Sequence, residues 1–472
     1  MSARIKNHFQ KLRILYSDVH AAFKGKQHDF TKGSINKAII LLALPMVAEM
    51  LMESLFAVVD VYFVSKVGVN AVATVGLTES ILFIIYAVAV GLSMAVTAIV
   101  ARRIGEKNPT KAADSAFQAI LIAAAIGVPL GICGFLFAVD VLSLMGGEQT
   151  LVAEGVGYAQ VMYAGNISII LIFLINAIFR GAGDAAIAMR TLWIANGLNI
   201  ILDPILIFGL GPIPEFGVMG AAIATTVGRS IGVIYQLYYL FNGKSVIKLG
   251  VENLVIRIKT IIEMLRIASG GLAQFLIESA SWIFLVRVIS IFGSEALAGY
   301  TIAFRIVLFT LLPSWGMSNA ASTLVGQNLG ANQPERAEQS VWRTALINTI
   351  FLGFVSIIFF VFADNVLQFF TTEPMVQEIG RSALQIICVG YIFFAYGMVV
   401  SQGFNGAGDT RTPMWISLVV FWVIQIPLAY LLSVVFDWQS NGVFFCIAFA
   451  HSLYAIVSII LFRRGKWKLI QV

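Results

Sequence analysis

Long runs of apolar residues, separated by short polar segments, dominate the pattern of this sequence. Windows of about 19 residues predict twelve membrane-spanning helices. The first six run near residues 37–65, 71–101, 113–139, 155–179, 190–211 and 216–241, and the second six near 262–292, 296–325, 341–363, 379–403, 413–436 and 441–462. Each run is long enough to cross a bilayer, which takes about 20 apolar residues. The predicted fold class is therefore an all-α polytopic membrane protein.

The composition supports this prediction and excludes several classes of protein. Of the 472 residues, 59% are hydrophobic and only 12% are charged, whereas soluble domains carry about 25% charged residues. A cytosolic enzyme, a disordered scaffold and a disulfide-rich secreted domain are excluded. The three cysteines include no CxxC pair, so the sequence predicts neither a metal site of that kind nor a disulfide framework.

The positions of Lys and Arg predict the orientation in the membrane. Of the 31 Lys and Arg residues, 26 fall on one side if the spans alternate, and only Lys66 and Arg381 fall in loops on the other side. Because positive residues accumulate in cytoplasmic loops, we expect a multi-pass protein of the plasma (inner) membrane with both termini in the cytoplasm. The formal charge of +6 then reflects topology, and nucleic acid is not an expected partner.

The two halves of the chain repeat each other at an offset of 225 residues without a gap. The string Gly-Ala-Gly-Asp at 181–184 falls on 406–409, and Glu53 falls on Glu278. Because each copy has six spans, both copies run the same way through the membrane, which predicts two lobes with the substrate handled between them. The predicted divisions are an N-terminal tail (1–36), an N-lobe (37–241), a linker (242–261), a C-lobe (262–462) and a C-terminal tail (463–472).

Acidic residues inside the predicted spans are the first functional signal, because an ionisable group at bilayer depth is costly and commonly lines a cavity or a relay. They are Glu49, Glu53, Asp60, Glu79, Asp203 and Glu278. The first three lie within about 40° of one another on one helix face. Asp60 and Asp203 both fall in the outer half of their spans, and Asn199 lies one turn before Asp203, so this group could share a proton or hold a monovalent cation.

Simpler roles for these acids are also compatible with the sequence. Asp60 could be merely interfacial, and Asp203 could cap a helix break at Pro204. Glu49 and Glu79 could extend toward the interface or pair with Arg229.

A proline marks a weak point in the first span. Pro45 interrupts the hydrogen-bond ladder there, and its repeat equivalent is Gly270, another residue that weakens a helix. We therefore predict a bend in the first helix of each lobe.

Motifs of soluble chemistry are absent. The chain has no Walker A string, no H-E-x-x-H and no G-x-S-x-G, which indicates that it is not an enzyme and does not itself use ATP. The two Gly-Ala-Gly-Asp strings lack the strand context of a dinucleotide site, so we interpret them as tight turns. Active transport would therefore depend on an ion gradient.

Four short strings carry a family resemblance: a repeated V-x-x-x-x-G-x-x-x-P-x-x-A that includes residues 325–331, R-G-A-G-D at 180–184, N-G-A-G-D-T at 405–410, and G-V-M-G-A-A at 217–222. Together they resemble the MATE (multidrug and toxic compound extrusion) family, most closely its prokaryotic DinF-like branch, over essentially the whole chain after residue 35. The resemblance implies a V-shaped antiporter that expels lipophilic organic cations and drugs by alternating access. It implies no cofactor other than a coupling ion, either H⁺ or Na⁺.

The resemblance also implies an ion-coupling site in the N-lobe. The positions that match are Asp60, Asn176, Asn199, Asp203 and Thr225. Three of them, Asp60, Asn199 and Asp203, also follow from the acid pattern above. A sodium ion, if that is the coupling ion, would be held by Asp60, Asn199, Asp203 and Thr225.

Relatives that couple through the C-lobe use two acids there, and this chain departs from that pattern. Glu278 matches the first acid, but the tenth span offers only Phe393, Phe394 and Tyr396 near the second. A complete C-lobe sodium site is therefore not expected. For the substrate cavity we predict apolar and aromatic walls with acidic points, and the residues chosen are Glu53, Phe56, Tyr163 and Glu278.

We expect a monomer in the lipid bilayer with small cationic molecules as substrates. The main alternative is a flippase for a lipid-linked or polysaccharide substrate of the same superfamily, which would line its cavity with Arg and Lys. A major-facilitator carrier, a passive channel and a membrane scaffold are further alternatives. Each fits worse, because the carrier's basic loop signature is missing and neither a channel nor a scaffold requires buried acids.

Overall fold

The computed structural model describes residues 17–25 and 28–472, so the predicted N-terminal tail lies partly outside the described residues. Eleven of the described helices are long and apolar enough to cross a membrane, or twelve when one bent pair counts as a single span. The first half contains α1 (Ile35–Ser65), α2 (Val69–Gly105), α3 (Pro109–Leu136), α4 (Gln149–Ala182), α5 (Ala185–Phe208) and α6 (Val218–Asn242). The second contains α7 (Ile258–Phe292), α8 (Ser294–Gly330), α9 (Pro334–Val361), α10 (Pro374–Val389 and Tyr391–Ala407), α11 (Arg411–Val435) and α12 (Gln439–Arg463).

Two of these helices are interrupted at equivalent positions of the repeat. Gly165 divides α4 and Gly390 divides α10, and the two halves of α10 meet at an angle of 54°. A glycine permits close approach at such a point, and the backbone of Ala448 on α12 lies against Gly390. The sequence predicted one uninterrupted span in each place, because hydropathy windows do not detect a break within an apolar run.

The Gly-Ala-Gly-Asp strings, which the sequence predicted to be tight turns, form the ends of two helices. Gly183 and Gly408 close α4 and α10 with φ angles of 90° and 89°, in the left-handed region that glycine adopts without steric penalty. The next amide in each case returns to the helix, from Asp184 to the Phe179 carbonyl and from Asp409 to the Phe404 carbonyl. This is the usual way to satisfy the last carbonyls of a helix.

Each lobe has its own apolar core, and the lobes meet through their first two helices. The largest buried cluster lies mainly among α2–α6 and extends onto the start of α7, and a second lies among α7–α12. Between the lobes, α1 packs on α8 and α2 packs on α7 and α8. The same helices of the repeat therefore exchange contacts across the interface, which agrees with the two parallel lobes that the sequence predicted.

The linker is shorter and more firmly attached to the N-lobe than the sequence indicated. Helix α7 begins at Ile258 rather than near residue 262. Asn253 donates to Asp114 at 2.8 Å and Arg257 pairs with Asp114 at 2.9 Å. Ser245 and the Val246 amide donate to Asp184. Burial raises the pKa of the Asp184 carboxyl above its usual value, because its effect is larger than the opposing effect of these hydrogen bonds.

The first helix of each lobe is continuous at the residue where the sequence predicted a bend. Helix α1 contains Pro45 without ending there, and α7 contains Gly270 in the same way. Gly270 has a packing reason: a Cβ at this position would overlap the side chain of Thr410, whose hydroxyl donates to the Ile267 carbonyl at 2.7 Å. Bending at Pro45 stays a prediction.

Candidate functional site

The acidic face of α1 is directed into the N-lobe, toward α4, α5 and α6. Glu49 is 1% exposed and accepts from Arg180 at 2.9 Å and from Asn176 at 3.1 Å. The sequence offered Arg229 as a partner of Glu49. That interpretation is wrong, because Arg180, a buried residue of α4, forms the ion pair with Glu49.

Asn176 belongs to this Glu49 group by its contacts. Its side-chain oxygen accepts from Gln236 on α6 at 2.6 Å, and Gln236 also donates to the Ile172 carbonyl. Among the described residues Asn176 has no hydrogen bond to Asp203. The Glu49 group thus ties α1, α4 and α6 together below the acids nearer the outer end.

One turn further along α1, Glu53 has a different pair of partners. It accepts from Asn196 on α5 at 2.8 Å, and its other oxygen lies 3.8 Å from Arg229 on α6. The guanidinium of Arg229 is 5.8 Å from the ring centre of Phe56 and 5.7 Å from that of Tyr86. Phe56 therefore contacts this buried cation from α1.

Asn199, Asp203 and Thr225 are in contact and form a third group, and their role in ion coupling stays a prediction. Asn199 donates to Asp203 at 3.3 Å and to the Thr225 hydroxyl at 2.9 Å. Asp203 is fully buried, and one oxygen of Asp203 and the amide oxygen of Asn199 have no hydrogen-bond partner among the described residues. Asp60 lies within electrostatic range of Asp203, and Glu79 lies within range of Asp60, although Asp60 makes no hydrogen bond within the described chain.

The C-lobe repeats this framework with mostly neutral residues. Glu278, the equivalent of Glu53, accepts from Gln274 at 3.0 Å and from Ser417 at 2.8 Å. Gln274 also donates to Ser401 at 3.1 Å, and these two positions correspond to Glu49 and Asn176. The position equivalent to Arg180 is Asn405. Among the described residues, Glu278 has no ion-pair partner.

Two adjoining cavities lie between the lobes. One, together with the open space at its mouth, has a volume of about 830 Å³ and includes Glu53, Arg180 and Phe173. The other, measured in the same way, has a volume of about 950 Å³ and includes Glu278 and His451. Both are bordered by the side chains Met94, Trp315 and Gln402. The Glu278 cavity is strongly aromatic, with walls from Phe275, Trp282, Phe394, Phe421 and Tyr454.

The lobes close against each other at the end of the molecule where α1 begins and α12 ends. A Cβ at Gly91 would lie 2.7 Å from the Leu272 amide, and one at Gly316 would lie 2.6 Å from the Met46 carbonyl. Gly105 and Gly330 pack equally closely on Gln327 and Arg102. Gln327 donates to the Gly181 carbonyl at 2.9 Å and Thr323 to the Arg180 carbonyl at 3.1 Å. In the described chain, the hydrogen bonds between lobes all lie at this end.

The segment before α1 also joins the two lobes at this end. Asp29 pairs with Lys107, after α2, at 2.9 Å, while Arg336 on α9 donates to the carbonyls of Phe30, Lys32 and Gly33. Partial burial raises the pKa of Asp29, but hydrogen bonds from Thr31 and Lys107 outweigh it and lower the pKa to about 2. The Asp29 carboxylate therefore stays charged throughout the physiological range.

Comparisons with known proteins follow the repeat. The MatE family model matches the chain twice, over residues 45–205 and 271–431. The chain belongs to the MATE family. It is 27% identical over 434 residues to the probable multidrug resistance protein NorM of Thermotoga maritima, a match that covers 92% of this chain and 93% of the relative. It is also 24% identical to the FAD transporter of Shewanella oneidensis, over 86% of this chain and 90% of the relative.

A solved structure confirms the MATE fold. The crystal structure of MATE in complex with MaL6 superposes with a TM-score of 0.87 at 28% identity, over 94% of this chain and 99% of that one. The two-lobed all-α fold and the family resemblance are therefore confirmed. MATE proteins are membrane transporters, so the expectation that the chain is not an enzyme is also confirmed.

Within this MATE protein the residues chosen from the sequence fall into separate places. Asn199, Asp203 and Thr225 are in contact, and Asp60 lies beside them. Asn176 instead contacts Glu49. Glu53 and Glu278 line the cavities between the lobes, whereas Tyr163 is 2% exposed and packs on Gly134 of α3. It borders neither of these two cavities.

The sequence interpretation missed the roles of two arginines. It did not consider Arg180 as the partner of Glu49, and it did not place Arg229 beside Glu53. A search for acids and bases within the same six-helix repeat could have identified them. The N-lobe spans contain several acids, and each of these arginines lies in or at the end of a span. The C-lobe offers the contrast, since its equivalent positions are Asn405 and Tyr454.

Proposed function

We propose that this protein is an antiporter that exports lipophilic organic cations and drugs in exchange for an inward-moving ion. The observation that best supports this proposal concerns Asp203. One of its carboxylate oxygens is buried without a partner in the described chain, beside Asn199 and Thr225. A buried carboxylate without a compensating charge is costly. Binding a proton or a monovalent cation removes that cost, so the group is suited to load an ion.

A proton is the favoured coupling ion, and sodium is the alternative. Protonation needs only the partnerless oxygen of Asp203 and the neighbouring Asp60. A sodium ion would draw on the oxygens of Asp60, Asn199, Asp203 and Thr225. Among the described residues no group of three or more His, Cys, Asp and Glu side chains could hold a metal ion, so a sodium ion would need neutral oxygens in addition to these two carboxylates.

The closed end and the cavities support alternating access. Because the lobes touch where α1 begins and α12 ends, the cavities would open toward the opposite side, which is extracellular if both termini are cytoplasmic as the Lys and Arg distribution predicts. A proton entering from that side would neutralise the Asp60 and Asp203 group, weaken the hold on a bound cation and let it leave outward. The lobes would then rock and expose the site to the cytoplasm in the plasma membrane.

The preference for cations rests on Glu278. This acid lines an aromatic cavity and has no ion-pair partner among the described residues, and acidic points within aromatic walls suit lipophilic cations. Glu53 contributes less than the sequence suggested, because Arg229 lies beside it. The same geometry weakens the flippase alternative, which would need basic residues on the cavity walls. Apart from His451, the described walls of these cavities contain one basic residue, Arg180. Arg180 is already paired with Glu49.

Ethidium uptake into everted membrane vesicles, in which export is directed into the lumen, tests this function. Vesicles of wild type, Asp203→Asn and the exposed control Asp364→Asn are given a pH gradient or a sodium gradient. We expect the pH gradient to drive transport in the wild type and the control, and the Asp203 variant to lose most of it while still binding ethidium. No gradient-dependent movement in the wild type would contradict the proposal and turn attention to lipid-linked or flavin substrates.

A further inference from the structure

Arg229 is a buried cation that is not firmly bound to any one acid. It is 5% exposed on α6, and its nearest carboxylate oxygen, on Glu53, is 3.8 Å away, which is too long for a hydrogen bond. One terminal nitrogen of the guanidinium has no hydrogen-bond partner among the described residues. A buried guanidinium with unused donors is poised to form a shorter contact elsewhere.

The neighbouring acids are arranged in two tiers on either side of Arg229. On α1, Phe56 faces the guanidinium, and Glu53 and Asp60 lie three residues before it and four after it. At 1.5 Å per residue, these offsets are about 4.5 and 6 Å along the helix axis. Helix α2 runs the opposite way and places Tyr86 near the Glu53 tier and Glu79 near the Asp60 tier. The guanidinium thus lies between the tiers.

The charge of Arg229 acts on both tiers. It interacts electrostatically with Glu53 and Asp60 and with Glu79, and the hydroxyl of Tyr158 on α4 lies within the same field. Asn196 on α5 binds the second oxygen of Glu53. One positive charge cannot fully compensate three carboxylates, so its preferred partner depends on which of them are charged.

We propose that Arg229 exchanges partners between Glu53 and the outer pair Asp60 and Glu79, and that this exchange couples the ion site to the substrate cavity. When the outer acids are charged, they draw Arg229 toward them and leave the Glu53 carboxylate free to face the cavity. When the coupling ion neutralises them, Arg229 returns to Glu53 and competes with the substrate cation for it. The inference rests on the proposed function and assigns Arg229 a positioning role within it.

This exchange explains how an ion and a drug can exclude each other without sharing one carboxylate. The ion binds near Asp60 and Asp203, whereas the substrate lies in the cavity bordered by Glu53. The two tiers are about 10.5 Å apart along the helix axis, or about two turns, and the positive charge of Arg229, which lies between them, links the two sites by moving toward one tier or the other. Arg229 has two alternative partners, and the charge on the outer acids decides which one it contacts. The ion therefore interacts differently with the two arrangements, which is the condition for a ligand to shift an equilibrium.

The test is the dependence of substrate binding on the coupling ion. Removing Arg229 alone would leave Glu53 buried without compensation, so the informative variant is Arg229→Gln with Glu53→Gln, which replaces the pair by neutral residues of similar size. Purified protein in lipid nanodiscs is titrated with tetraphenylphosphonium at pH 8 and pH 6, and with and without sodium. Asp60 and Asp203 are left intact in every variant.

We expect the wild type to lose about tenfold or more in affinity when the coupling ion is supplied, and the double variant to lose less than about threefold. Arg229→Lys, which keeps the positive charge, is expected to retain most of the wild-type dependence. The matched control is Glu278→Gln, because this acid is the repeat equivalent of Glu53 without an arginine beside it in the described chain. That variant is expected to bind more weakly at both pH values but to keep the dependence.

The outcomes separate the two ideas. A double variant that retains the full ion dependence, or an Arg229→Lys variant that loses it, would overturn the exchange and leave the antiport proposal intact. A wild type whose affinity responds to neither pH nor sodium would overturn the antiport proposal and the exchange together. A purely structural role for Arg229 would lower the melting temperature of the variants without changing the ratio of affinities, and that result would overturn the exchange as well.

Discussion

The Glu49–Arg180 pair offers the sharpest test of how charge is accommodated in the N-lobe. Glu49 is 1% exposed, its contact with Arg180 is 2.9 Å long, and its second oxygen has no partner in the described chain. Removing one member of such a pair leaves a buried charge uncompensated, at a cost of about 3–5 kcal/mol. Replacing both members by neutral residues of similar volume is close to neutral.

We therefore expect Arg180→Met and Glu49→Gln each to lower the free energy of unfolding by about 3–5 kcal/mol, and the double variant to lie within about 2 kcal/mol of the wild type. The coupling energy of the cycle is then about 4 kcal/mol or more. Unfolding of the purified protein in mixed micelles of increasing SDS content, followed by tryptophan fluorescence, measures these differences.

The chain supplies its own control in an exposed ion pair. Arg381 and Asp364 are 3.5 Å apart with side chains 47% and 62% exposed, and such a pair contributes about 0–1 kcal/mol. If the Glu49 and Arg180 single variants cost no more than the control pair, or if their effects simply add in the double variant, the interpretation of a desolvated, mutually dependent pair is refuted.

Three other predictions concern coupling and closure. Gly330→Ala places a Cβ against the Arg102 carbonyl and is expected to raise maleimide labelling of a cysteine introduced between the lobes near the termini; unchanged labelling would argue against tight closure there. Thr225→Val removes an acceptor of Asn199 and is expected to weaken gradient-driven efflux several-fold with ethidium binding retained, whereas full efflux would exclude Thr225 from the coupling group. Deleting residues 470–472 removes the Ile470 carbonyl to which Arg102 donates. We expect faster amide hydrogen exchange at the end of α2, measured by mass spectrometry, and unaltered exchange would show that the contact is dispensable.

The sequence predicted the parts of the fold that periodicity and repetition govern. Apolar run length determines that a helix crosses a membrane, and the 225-residue offset relates the lobes, so the spans and the acidic face of α1 follow without tertiary information. The break at Gly165 could not be predicted in the same way, because it depends on packing against Thr226 rather than on hydropathy.

Side-chain partnerships were predicted only where two residues share one helix face. Asn199 and Asp203 lie four apart on α5, and their contact follows from helix geometry. The partner of Glu49 depends on how α4 is rotated relative to α1, which places Asn176 and Arg180 on the Glu49 face and away from Asp203. Tyr163, chosen as a cavity residue, faces α3 for the same reason. Rotation is set by close packing, which a single sequence does not display.

The distribution of buried charge in the N-lobe bears on the stoichiometry of the proposed exchange. Arg180 compensates Glu49, and Arg229 is shared among Glu53, Asp60 and Glu79, so the region carries more carboxylates than arginines even before Asp203 is counted. One proton exchanged for one monovalent cation moves no net charge, whereas two protons add one charge, worth about 2.3 kcal/mol per 100 mV. Because more than one carboxylate there is left uncompensated, we expect two. Proteoliposomes with a potassium–valinomycin potential and no pH gradient should then accumulate ethidium, and a complete lack of response to the potential would restrict the exchange to one proton.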